Sequence, residues 1–207
     1  MSSLIFYTDN EQAIIATDTL AVTMECKPYF FVNKATYVPT LNMVVSGLGM
    51  GTLSSDWQNM VSHGLIYMDM DHLNQYASKH LLDMYKEQQD KYGLDDSESA
   101  TIYHIGYSQK EGGYAAYAFR STNKFQCERL PYGTAAKPEC DILEGNLFDL
   151  IPTMMQQQRS IQMSMPESKR IYIGGEVFAI HLTDGKATYY KLAEFEDYRQ
   201  MQRQIFE

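Results

Sequence analysis

Two short apolar runs, Leu4-Ile5-Phe6-Tyr7 and Ala13-Ile14-Ile15-Ala16, flank the turn-forming stretch Asp9-Asn10-Glu11-Gln12. Aromatic and β-branched residues on either side of an Asp-Asn pair read as a β-hairpin. Neither run alternates apolar with polar, so both faces of each strand are apolar. Such strands must be covered on both sides, which excludes a sheet with one face in water. Further strand signals follow at residues 29–32, 35–38 and 41–46. The last ends in Gly47-Leu48-Gly49-Met50-Gly51, where the chain must turn tightly or let another backbone approach.

Two helical patterns come next. Residues 52–63 carry Trp57, Met60 and Val61 on one side, with a cap drawn from Ser54, Ser55 or Asp56. Residues 70–92 place Leu73, Tyr76, Ala77, Leu81, Leu82 and Tyr85 at helical spacing against a charged reverse face. Strands are expected at 101–107, 114–120 and 124–130, then a loop over 131–139. A third helix is expected over 141–163, disturbed at Pro152. Strands over 170–183 and 186–192 meet at Asp184-Gly185, a strong hairpin signal, and a charged amphipathic helix is expected over 193–207. Runs of strands separated by runs of helices indicate layered α+β packing rather than alternating βαβ units. Two sheets stacked between helical layers would account for the doubly apolar strands. At 207 residues a single domain spanning 1–207 is expected, large enough to bury a core unaided.

The net charge of −9, without a Lys/Arg cluster, argues against nucleic acid and anionic membranes as partners. No apolar run approaches the ~20 residues that span a bilayer, and the first residues lack the basic and apolar regions of a signal peptide. A cytoplasmic location is the resulting expectation. Cys26, Cys127 and Cys140 are odd in number and lack CxxC spacing, so free thiols are expected. His63, His72, His80, His104 and His181 are scattered without a carboxylate-backed pattern. No metal and no cofactor is expected.

Counting along the chain exposes a constellation. Asp18 ends the second apolar run within Ala13-Ile14-Ile15-Ala16-Thr17-Asp18-Thr19-Leu20-Ala21. Ser2 lies sixteen residues before it and Lys34 sixteen after; Ser46-Gly47-Leu48-Gly49 begins twelve residues after Lys34. This pattern resembles the proteasome β-subunit and HslV-like family of N-terminal nucleophile hydrolases. Ser2 stands where those enzymes carry their N-terminal threonine, Lys34 where they carry a catalytic lysine, and Gly47 where a glycine turn helps form the oxyanion hole. Ile105-Gly106-Tyr107 with Glu111-Gly112-Gly113, and Gly174-Gly175-Glu176-Val177 with Asp184-Gly185, are similar to later segments of the family. The resemblance covers nearly the whole chain, although no single motif is specific.

The resemblance implies a four-layer α-β-β-α sandwich and an amide- or peptide-cleaving hydrolase working through an acyl-Ser2 intermediate. A hydroxyl must lose its proton as it attacks. In this family the free α-amine of the same residue serves as base, and an unperturbed pKa near ~8 suits that task. Met1 would have to be removed, as expected before a small residue. Lys34 would favour the alkoxide and Asp18 would orient it, while the Gly47 N–H would face the oxyanion, a contact worth roughly 3–4 kcal/mol in acyl-transfer enzymes. Each residue also has a plainer reading: Ser2 as a frayed terminus, Asp18 as a strand end, Lys34 as a turn residue with Lys27 as rival, Gly47 as a turn glycine. The family's Gly-Ser-Gly turn before the third helix finds only Gly133-Thr134 as a loose counterpart, and its Asp-x-x-Ser-Gly becomes Arg170-Ile171-Tyr172-Ile173-Gly174. Val22 stands in place of a threonine whose backbone pairs with bound peptide. A catalytically silent ring or scaffold subunit is therefore the alternative. Self-association into a homo-oligomer, possibly annular, is implied by resemblance, with an ATPase partner left open.

Overall fold

The structure is a computed structural model and describes residues 3–23, 25–64, 66–95 and 98–206. The expected opening hairpin is present. Strands β1 (Leu4–Thr8) and β2 (Gln12–Asp18) pair antiparallel with Leu4 opposite Thr17 and Thr8 opposite Ala13. Its turn is held by Asp9, whose Oδ1 accepts the N–H groups of Glu11 and Gln12, each at 2.8 Å.

After β2 a short strand β3 (Leu20–Val22) pairs with β4 (Pro28–Phe31) as a separate ribbon. Strands β5 (Ala35–Val38) and β6 (Met43–Gly49) follow, then helices α1 (Gly51–Asn59) and α2 (Met70–Tyr92). Next come β7 (Ala100–Ser108), β8 (Gly113–Arg120), β9 (Cys127–Arg129), β10 (Gly133–Lys137), α3 (Leu147–Met163), β11 (Glu176–Thr183), β12 (Lys186–Glu194) and α4 (Tyr198–Phe206). One five-stranded sheet runs β10-β1-β2-β11-β12 and the other β5-β6-β7-β8-β9. The β11–β12 turn places Asp184 and Gly185 at φ of 49° and 69°, the left-handed pair a two-residue hairpin needs.

Period-two alternation explains the packing. In β1, Leu4 and Phe6 face the second sheet, where they meet Val44, Tyr103, Ile105 and Ala116. Ile5, Ile14 and Ala16 face the other way, onto Ile151, Met154 and Met155 of α3. On the far side of the second sheet, Leu53 and Trp57 of α1 and the α2 stripe Leu73, Ala77, Leu81 and Tyr85 bury Val45, Ile102 and Phe119. Asp69 caps α2 by accepting the His72 N–H at 2.7 Å, and Gly93 ends it at φ 64°.

Several boundaries differ from expectation. The loop foreseen over 131–139 contains β10, an edge strand recruited by pairing with β1, which local composition does not announce. The third helix begins at Leu147, not residue 141, capped by Asn146, and runs uninterrupted through Pro152. Helix α1 begins at Gly51, so Ser54, Ser55 and Asp56 lie inside it rather than capping it. Strand β11 starts only at Glu176, β9 is confined to residues 127–129, and Tyr76 is exposed on α2.

His104 of β7 is fully buried. Its Nε2 accepts the Trp57 indole N–H at 2.8 Å and its Nδ1 lies 2.6 Å from Asn74 Oδ1, so the neutral ring carries its proton on Nδ1. Burial pushes its pKa down to about 3. The unfolded chain therefore binds a proton below the ordinary histidine pKa of about 6.5 that the folded chain refuses, and stability falls as pH drops through that value. Urea denaturation between pH 7 and 5 should show a loss approaching about 1.4 kcal/mol per pH unit from this group. His104→Gln should flatten that slope relative to wild type; an unchanged slope would refute the assignment.

Candidate active site

The site forms where β1 begins and β2 ends. Asp18 is fully buried and three donors converge on its carboxylate. Oδ1 accepts the Ser3 N–H at 2.9 Å and the Lys34 ammonium at 2.8 Å; Oδ2 accepts the Gly174 N–H at 3.1 Å. The Lys34 side chain is only 9% exposed. Burying a carboxylate and an ammonium is unfavourable unless they pair and find further hydrogen bonds; here they pair, and the carboxylate accepts two backbone N–H groups besides.

Each partner is held by a different element. Lys34 precedes β5, and its carbonyl accepts the Ser46 hydroxyl at 2.9 Å and Gln58 Nε2 at 3.4 Å, tying it to β6 and α1. Gly174 lies ahead of β11, whose first residue donates its N–H to Thr19 Oγ1 at 2.8 Å. Between them Gly175 sits at φ 81°, where a Cβ would lie 2.4 Å from Thr19 Oγ1, so both the backbone angle and the space exclude a side chain. Lys27 is on the surface, paired with Glu25 at 2.9 Å, which leaves Lys34 as the lysine of the buried pair.

A cleft of about 540 Å³ opens beside Lys34, walled by Ala21 and Val22 of β3, Phe30 of β4, Val32 just after it, and Gly47 and Met50. The β5–β6 pairing stops at Ala35 opposite Ser46, whereas β7 follows β6 through Gly49. Among the described residues no strand pairs with residues 47–49 on their β5 side, and Gly47 and Gly49 line the cleft. A Cβ on Gly47 would lie 2.4 Å from Ser54 Oγ, so α1 packs against β6 only because this position lacks a side chain.

Of the expected site residues, Asp18 and Lys34 are in contact and Gly47 lines the same cleft. Ser2 lies outside the described residues. Gly133 and Thr134 are not counterparts of a site turn: they pair with Thr8 and Tyr7 at the opposite end of β1. Three residues at the site were not foreseen there: Ser3, whose N–H reaches Asp18; Gly174, described above; and Gln158 of α3. Ser3 and Gln158 are fully buried, and the Ser3 hydroxyl donates to Gln158 Oε1. The glycine pair at 174–175 was a visible signal; a glutamine in a helix was not.

No protein-family model matches the sequence, and no curated relative matches it. Among solved structures, Anbu (ancestral beta-subunit) from Yersinia bercovieri superposes with a TM-score of 0.63, covering 98% of this chain and 91% of that one at 10% identity. At that identity the likeness is one of fold, and the fold is proteasome-like.

Asp18→Ala should cost about 3–5 kcal/mol in urea denaturation, because it strands a buried ammonium and two N–H groups. Lys34→Met should cost less, since Asp18 keeps both backbone donors. A loss below about 1 kcal/mol for Asp18→Ala would mean the pair does not organise this end of the sheet.

Proposed function

We propose that the chain is a proteasome-like N-terminal nucleophile hydrolase that cleaves peptide or small amide bonds through an acyl-Ser2 intermediate. The observation that carries this reading is the Ser3 N–H on Asp18 at 2.9 Å, beside the Lys34 ammonium. Ser3 directly follows Ser2 in the sequence, so its contact with Asp18 beside Lys34 supports reading Ser2 as the nucleophile. Ser3 is a poor rival as nucleophile, being fully buried with its hydroxyl committed to Gln158.

In this mechanism the Ser2 hydroxyl attacks the substrate carbonyl and passes its proton to its own α-amine. The proton then goes to the departing amine, leaving an ester on Ser2 that water hydrolyses. Lys34, held by Asp18, stabilises charge on the Ser2 oxygen, and the Gly47 N–H faces the carbonyl oxygen. The amine must be free, so whatever precedes Ser2 must be removed. An extended substrate would lie between β3 and residues 47–49, since Ala21, Val22, Gly47 and Gly49 all line the cleft. Three apolar clusters, helix against sheet, sheet against sheet, and sheet against α3, support the four-layer α-β-β-α reading. Assembly into a ring of copies in the cytoplasm belongs to the same reading, by analogy with a protein named as a subunit. No helix among the described residues is long and apolar enough to cross a membrane.

Intact-mass measurement should find Ser2 at the amino terminus, and a β-lactone should add one acyl group to it. Ser2→Ala should abolish labelling, and Lys34→Ala should slow it about 100-fold or more. Absence of labelling on a chain with a free Ser2 amine would instead establish the silent scaffold reading.

A further inference from the structure

Gln158 occupies the buried face of α3 between apolar neighbours, with Met154 and Met155 one turn before it. Methionine or leucine would fill that position without burying an amide, which is unfavourable unless both of its ends are bonded. Both ends are bonded here. Oε1 accepts the hydroxyl of Ser3, and Nε2 donates to the carbonyl of Pro138, the residue that follows β10. Ser3 is therefore held by two ties of different origin: its N–H by Asp18 at 2.9 Å, its side chain by α3. The first orients the Ser3 amide, and the second holds its Cβ against α3, so neither the backbone nor the side chain of Ser3 can shift without breaking a buried hydrogen bond.

We propose that Gln158 is a positioning residue acting through Ser3. The Gln158–Ser3 hydrogen bond fixes the orientation of the peptide group ahead of Ser3 and so aims the amine and hydroxyl of the preceding residue at Lys34. This rests on Ser2 being the nucleophile. A nucleophile displaced by about 1 Å loses on the order of 100-fold in rate while the substrate pocket is untouched, so the effect belongs in the chemical step rather than in binding. The device also joins α3 and the end of β10 to a site otherwise built from β2, the start of β5 and the turn before β11.

The test compares Ser3→Ala, Gln158→Met and the double variant with wild type in the full chain. Saturation kinetics of β-lactone labelling and the pH titration of the ¹³C-dimethylated α-amine, followed by NMR, are the two measurements. Each single variant should lower the limiting labelling rate 10-fold or more, with the half-saturating β-lactone concentration within about 3-fold of wild type. The double variant should be no slower than the singles, because one hydrogen bond is lost in all three. The amine titration should shift in both singles, a change that a purely packing role would not produce, and Ser3→Thr, which keeps the hydroxyl, should restore it. Labelling rates and amine titrations matching wild type would overturn the proposal. If wild type itself does not label, the hydrolase reading fails on its own. The amine titration then decides positioning alone: unchanged in both variants overturns it, shifted alike in both sustains it. Should Gln158→Met not fold, Ser3→Cys, nearly isosteric with a weaker donor, supplies the same comparison.

Discussion

The buried ion pair of Asp18 and Lys34 is the contact on which the rest of the structure turns. An isolated carboxylate at the end of β2 would not survive dehydration. It does so because three donors from separate parts of the chain arrive together: the N–H of Ser3, the ammonium of Lys34 and the N–H of Gly174. The same convergence that makes the charge tolerable holds the beginning of β1, the start of β5 and the turn ahead of β11 in one place. Fold stability and site geometry are here the same set of bonds.

Around that point the two sheets act as rigid supports. The inter-sheet cluster fixes the separation of β2 from β6, and hence of Asp18 from the free edge at residues 47–49. Helix α1 closes the cleft on one side and can come near only because Gly47 presents no Cβ to Ser54. Helix α3 covers the outer face of the first sheet and sends Gln158 inward to Ser3. Helix α1 thus serves the core with one face and lines the cleft with another, while α3 reaches the site through Gln158.

Much of this was legible in the residues. Doubly apolar strands at 4–7 and 13–16 demanded cover on both faces, because side chains alternate across a strand and neither side was polar. Asp184-Gly185 announced its turn because few residues accept its left-handed angles, and Asp9-Asn10 did so because an Asp side chain can accept the N–H groups two and three residues on. The regular apolar stripe of α2 matched its span, with Asp69 and Gly93 closing it. The equal spacing of Ser2 and Lys34 about Asp18, read through the family resemblance, singled out Lys34 ahead of Lys27.

What composition could not reveal was pairing that depends on a distant partner. Strand β10 reads as a loop because Gly133-Thr134-Ala135-Ala136-Lys137 has little strand preference of its own; it is a strand because β1 offers it an open edge. Gly174 reaches Asp18 by its backbone N–H, which every residue but proline possesses, so no side chain advertises the contact. Gln158 looks like an ordinary helical glutamine until the fold sets it against Ser3. The order of amino acids determined the layers, the turns and the residues able to carry charge at the site. Tertiary structure alone decided which backbone groups and which buried amide would hold them, because those choices are made by proximity across 15 to 156 residues of sequence.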